Sequence, residues 1–167
     1  TIGTVVSTPT GRFDELCARA AGCKACPGMG CAPVLSPANG FAGARVVFVA
    51  RDLGVDVKAM VAGAGFESLM LPRPAEPAPP SVLPHGHWAE VDPALDARQT
   101  IAALAGRRCD WLIVDHYALD GEWHRCVAGG TGARLAVIDD VADRPLDADV
   151  LIDHNYCDDH RRKYGAL

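Results

Sequence analysis

Three short clusters bring together side chains able to do chemistry: Asp115-His116-Tyr117, Asp139-Asp140 and Asp153-His154-Asn155. Carboxylates and imidazoles can move protons, and together with amide and phenol groups they can hold the hydroxyls of a polar ligand. The acidic and amide groups among them suit a divalent cation equally well, although no ligand spacing here matches a calcium loop. A second concentration is sulfur. Cys17, Cys23, Cys26 and Cys31 crowd the start of a chain with seven cysteines. An odd count with such clustering points to metal or redox chemistry more than to a disulfide frame.

Each polar cluster follows an apolar run of strand length. Trp111-Leu112-Ile113-Val114 precedes the first, the run 133–138 the second, and the run 149–152 the third. Earlier strands are expected over 44–50 and 66–71 from their β-branched and apolar content. Helical spacing is expected over 13–21, 55–65, 94–106 and 121–128, several of them ending at glycine. Strand and helix therefore alternate. That rhythm specifies an α/β fold, a doubly wound Rossmann-like parallel sheet of four or five strands covered on both faces.

Ligands bind such sheets outside the carboxyl ends of the strands. If the strands are parallel, all three polar clusters share one rim. Asp, Asn and His also cap turns and helices, which accounts for any one cluster alone. Three on one rim favour a polar ligand such as a nucleotide-sugar.

The remaining sequence is less regular. Residues 1–42 read as an irregular Cys-, Pro- and Gly-rich segment, with a loose lead-in over 1–11 and one short helix. Residues 43–167 read as the α/β domain. The stretch 72–84 holds six prolines and excludes a helix. Arg161-Arg162-Lys163 reads as a solvated helix face. The formal charge of −5 and the lack of a long basic run argue against a nucleic-acid groove. No apolar stretch reaches membrane-span length and no signal segment is seen, so a cytoplasmic location is expected. No G-x-G-x-x-G follows a strand, and spacing alone names no catalytic set.

Five segments carry a resemblance: GARVVFVARDL (43–53), AGFESLMLP (64–72), DARQTIAAL (96–104), DWLIVDHYALDGEWH (110–124) and AVIDDVADRPLDADVLIDHN (136–155). In order and spacing they resemble the UDP-sugar hydrolase family of pseudaminic acid biosynthesis. That family releases UDP from UDP-2,4-diacetamido-2,4,6-trideoxy-β-L-altropyranose by water attack at the anomeric carbon. The resemblance implies one half of a GT-B-like architecture, with Asp115, His116, Tyr117, Asp140 and Asn155 contacting the substrate. It implies no cofactor, and a separate chain could supply the second half.

The family's first strand leads to a G-x-G-H-x-x-R loop whose histidine is its general base. Gly28-Met29-Gly30-Cys31-Ala32-Pro33 stands there instead, leaving His116 as the alternative base. Weak or no turnover by the chain alone is therefore expected. Residues 12–50 resemble another family, the iron–sulfur uracil-DNA glycosylases, through a helix leading to Cys23-Lys24-Ala25-Cys26-Pro27. Cys23 and Cys26 match two cluster ligands, and this implies a DNA-repair alternative. A non-catalytic α/β remnant is the third reading.

Overall fold

A computed structural model describes residues 2–7 and 44–165 of the 167-residue chain. Cys23, Cys26, the helix expected over 13–21 and the Gly28–Cys31 loop lie outside the described residues.

The core of the fold is a six-stranded sheet: β1 (Ile2–Ser7), β2 (Arg45–Arg51), β3 (Glu67–Leu71), β4 (Trp111–Val114), β5 (Arg134–Ile138) and β6 (Val150–Ile152). Their order across the sheet is β3-β2-β1-β4-β5-β6. Helices α1 (Val57–Gly63), α2 (Pro93–Leu104), α3 (Gly121–Thr131) and α4 (His160–Tyr164) complete the described elements, with one 3-10 turn at Gly86–Ala89. The layout is α/β and Rossmann-like, as the alternation predicts. No helix among the described residues is long and apolar enough to cross a membrane.

The expected all-parallel sheet needs one correction. β2 and β3 are parallel, and so are β4, β5 and β6, but β1 runs antiparallel to both its neighbours. Residues 2–7, expected in a loose lead-in, thus form a central strand. Gly3 pairs with Val49 and Val114, while Ser7 pairs with Arg45. The chain therefore leaves β1 at the edge opposite the carboxyl ends of the other five strands.

β4 is buried along its whole length and shows why its sequence is apolar throughout. Leu112 and Val114 pack with Trp123 and Val127 of α3 and Leu104 of α2, while Trp111 and Ile113 join Val46 and Ala136 on the other face. At about 25 cal/mol per Å² of apolar surface, each such side chain stabilises the fold by roughly 1.5–3 kcal/mol. Asp92 caps α2 by accepting from the Leu95 amide, and Asp120 caps α3 by accepting from Glu122 and Trp123. α3 runs three residues past its expected end at Ala128 and stops at Gly132, whose φ of 70° is left-handed. Gly130 lies inside it, because a Cβ there would stand 2.5 Å from Ile101 of α2. Close helix packing has overridden a poor helix former.

Candidate functional site

The carboxyl ends of β4, β5 and β6 lie side by side, so the three polar clusters do share one rim. Three of the five expected substrate-binding residues, Tyr117, Asp140 and Asn155, form a connected group there, with His154 beside them. The Tyr117 hydroxyl donates to Asp140 Oδ1 at 2.5 Å, and Asn155 Nδ2 donates to Asp140 Oδ2 at 2.6 Å. His154 Nε2 stands 3.9 Å from the same carboxylate. The bond to Asp140 pushes the Tyr117 hydroxyl up to about 12, aided by burial, so it remains a proton donor at neutral pH.

Asp115 differs from its neighbours. It is exposed, and its carboxylate accepts no hydrogen bond among the described residues. Partial desolvation of its carboxyl nonetheless raises its pKa, His154 opposes this, and the charge of Asp140 adds a smaller push upwards. An uncommitted carboxylate with weakened acidity is the chemical profile of a general base.

His116 does not fit the role of base. Its Nδ1 accepts the Ala118 amide at 3.1 Å, which leaves the proton on Nε2. Burial pushes its pKa down to about 4. With its lone pair engaged and its other nitrogen protonated, the imidazole shapes the turn after β4.

Asp139 is also corrected. Adjacent to Asp140 in sequence, it turns inward and is fully buried. Its Oδ1 accepts from Arg144 Nη1 at 2.6 Å, and its Oδ2 from the amides of Val141 and Ala142. Arg144, itself 1% exposed, also donates to the carbonyls of Leu119 and His116 and to Asp143. One guanidinium thereby ties the loop after β4 to the loop after β5. Ala142, at φ 53°, holds a left-handed conformation inside this loop, a strain met by the Arg144–Asp139 contacts around it.

Two further supports were not legible. Lys163, expected on a solvated face, reaches back to the Asp140 carbonyl at 2.5 Å and Asp153 Oδ2 at 2.8 Å. The Tyr164 hydroxyl, 2.7 Å from the Asp139 carbonyl, anchors the same helix. Burial pushes the Asp153 carboxyl up, but its bonds from Lys163, the Asn155 amide and Tyr164 outweigh that and hold it below the usual range. On the other side, His85 Nδ1 lies 2.8 Å from Asp143 Oδ2, and the rings of His85 and Trp88 stand against Tyr117. The sequence signal for this aromatic group is His85-Gly86-His87-Trp88, just after the proline run.

A second buried cluster fixes the other half of the sheet. Arg51 donates through Nε and Nη2 to Asp96 Oδ2 and through Nη1 to the Pro72 carbonyl, while Trp123 Nε1 donates to Asp96 Oδ1. It joins the ends of β2 and β3 to α2 and α3.

No group of three or more His, Cys, Asp or Glu among the described residues is disposed to hold a metal. Cys109 is buried, donates its thiol to the Trp111 carbonyl, and is pushed up to about 11 by desolvation. Cys126 is exposed on α3.

Two histidines, the buried His124 and the half-buried His116, give the fold a pH dependence. His124 is fully buried, its Nε2 has no hydrogen-bond partner, and burial pushes it down to about 4, as it does His116. Both are neutral when folded and protonate near 6.5 when unfolded. The unfolded chain thus binds more protons between these values, and stability falls as pH drops from about 6.5 towards 4, by up to about 1.4 kcal/mol per pH unit per histidine. Urea midpoints across that range should fall steeply in the wild type and less steeply in His124→Asn. Equal slopes would refute the assignment.

Comparison with protein-family models, with curated proteins and with solved structures finds no match.

Proposed function

We propose that this chain is a sugar-nucleotide hydrolase-like domain of the kind its sequence resembles, one half of a GT-B-like cleft that holds the sugar at the β4–β6 rim. The observation that carries this reading is Asp115, an uncommitted carboxylate beside the Tyr117–Asp140–Asn155 group. In the proposed reaction a water oxygen bonds to the anomeric carbon as the bond from that carbon to the UDP oxygen breaks. Asp115 accepts the proton of the water, and UDP departs as an anion. Tyr117, Asp140 and Asn155 orient the sugar through its hydroxyl and acetamido groups.

Charge decides which end of the substrate lies here. The rim presents Asp115 and Asp140, while its cations are committed: Arg144 to Asp139 and Lys163 to Asp153. Carboxylates accept from sugar hydroxyl and amide donors but repel a diphosphate. The UDP end then needs cations from a facing half, which a separate chain could supply. The rim is also open to water, which weakens electrostatic stabilisation of the departing UDP. Turnover by this chain alone should be slow.

Calorimetric titration with UDP-2,4-diacetamido-2,4,6-trideoxy-β-L-altropyranose, followed by a UDP-release assay, tests this. Saturable binding with slow release of UDP is the expected result. Binding without any release leaves a ligand-holding domain and removes the hydrolase assignment. No binding leaves an α/β scaffold and removes both. For the iron–sulfur alternative, the described cysteines Cys109, Cys126 and Cys157 form no group disposed to hold a metal.

A further inference from the structure

Three aromatic rings meet beside the rim carboxylates. Ring centroids are 4.8 Å apart for His85 and Trp88, 5.8 Å for Trp88 and Tyr117, and 5.7 Å for His85 and Tyr117. Trp88 stays 48% exposed, whereas Trp111 and Trp123 are 5% and 3% exposed. A single exposed indole is unremarkable by itself. This one is held in place from several directions.

Gly86, in the same 3-10 turn, is buried so closely that a Cβ would stand 1.9 Å from Ser81 Oγ. Glu90 ends the turn in a left-handed conformation at φ 55°, unusual for a residue with a side chain. His85 bonds to Asp143, and Asp143 accepts from Arg144, which holds Asp139 next to Asp140. A chain of contacts thus fixes the Trp88 ring relative to the acceptors of the rim. Tyr117 closes the circuit, packing against Trp88 with its ring and bonding to Asp140 with its hydroxyl.

A flat aromatic face beside carboxylate acceptors matches a saturated sugar ring. The electron-rich face meets the C–H face of the ring, and the acceptors take its peripheral hydroxyl and amide protons. We infer that Trp88 is the stacking face of the rim site and sets its preference for a pyranose presented through its C–H face. This rests on the sugar-nucleotide reading above and adds the residue that stacks on the sugar ring and selects its presentation. A nucleobase would stack on the same indole, but its attached diphosphate would then lie against Asp115 and Asp140.

Trp88 is the accessible tryptophan of the three, so acrylamide quenching of fluorescence reports on it directly. The full chain is titrated with the UDP-altropyranose above and, separately, with UDP. The sugar-nucleotide should protect Trp88 from quenching and UDP should not. Trp88→Ala should weaken sugar-nucleotide affinity about three- to tenfold, and Trp88→Phe should restore most of it at an unchanged melting temperature. Equal affinity in wild type and Trp88→Ala, with no protection, overturns the role of Trp88 while leaving the rim site standing. Protection by UDP alone assigns the indole to the nucleobase and overturns the sugar preference. Failure of the wild type to bind either compound overturns this inference and the rim reading together.

Discussion

Replacing Arg144 with methionine should destabilise the protein by about 3–5 kcal/mol, the range for breaking one side of a buried ion pair. For a chain of this size that is a drop of about 6–20 °C in melting temperature. The side chains of Arg144 and Asp139 are 1% and 0% exposed, so water cannot replace the lost partner. Asp139 would keep its bonds from the Val141 and Ala142 amides, but its charge would be left without a counter-ion. The carbonyls of Leu119 and His116 would each lose a donor as well. Volume is not the cause, since methionine fills much of the arginine stem.

The charge argument makes its own test. Adding Asp139→Asn to Arg144→Met removes the stranded carboxylate, so the double variant should melt above Arg144→Met alone. A double-mutant cycle by urea unfolding should give a coupling of about 2 kcal/mol or more. A loss under about 1 kcal/mol in Arg144→Met would show that the rim loops do not depend on this clamp. Sugar-nucleotide affinity should fall along with stability, because Arg144 holds the loops that carry Tyr117 and Asp140.

How far this site could be read from the sequence depended on the kind of signal each residue left. The ends of β4, β5 and β6 were legible because buried parallel strands are apolar runs with abrupt polar ends. Their sharing of a rim then followed from direction alone. The strand over residues 2–7 was not legible. Ile-Gly-Thr-Val-Val-Ser mixes β-branched residues with turn formers, and its antiparallel pairing between two distant strands is set by tertiary contacts. Which of Asp139 and Asp140 faces the rim also depended on a distant event. Arg144 reaches back five residues to bury one of them, and nothing in Ala142-Asp143-Arg144-Pro145 marks that arginine as internal. Lys163 escapes a sequence reading for a related reason. A long side chain in a terminal basic cluster looks solvated, yet its stem spans from α4 to the β5 and β6 ends. The aromatic run His85-Gly86-His87-Trp88 stands out after the proline stretch, but its packing against Tyr117 is set by tertiary contacts that no periodicity announces.

Asp115→Asn should lower UDP release about 10²–10⁴-fold, the usual contribution of a general base, while changing stability by about 0.5 kcal/mol or less. The alternative role, a structural cap, predicts the reverse: about 1 kcal/mol of stability lost and no specific effect on turnover. The hydrogen bonds separate the two. Asp92, Asp120 and Asp139 each accept backbone amides and do cap turns or helices. Asp115 accepts none among the described residues, so asparagine there has no cap to disturb. The pH dependence should carry the same signature. A base works only when ionised, and desolvation raises the pH at which Asp115 loses its proton, with His154 opposing this and the Asp140 charge adding a smaller push upwards. Release of UDP should therefore decline on acidification at a higher pH than an ordinary carboxylate would give. Asp140→Asn removes the neighbouring charge and should move that decline to lower pH, whatever it does to affinity. If the acid limb stays in place in Asp140→Asn, or if Asp115→Asn melts early and turns over normally, Asp115 is scaffold and the base must be sought elsewhere in the chain.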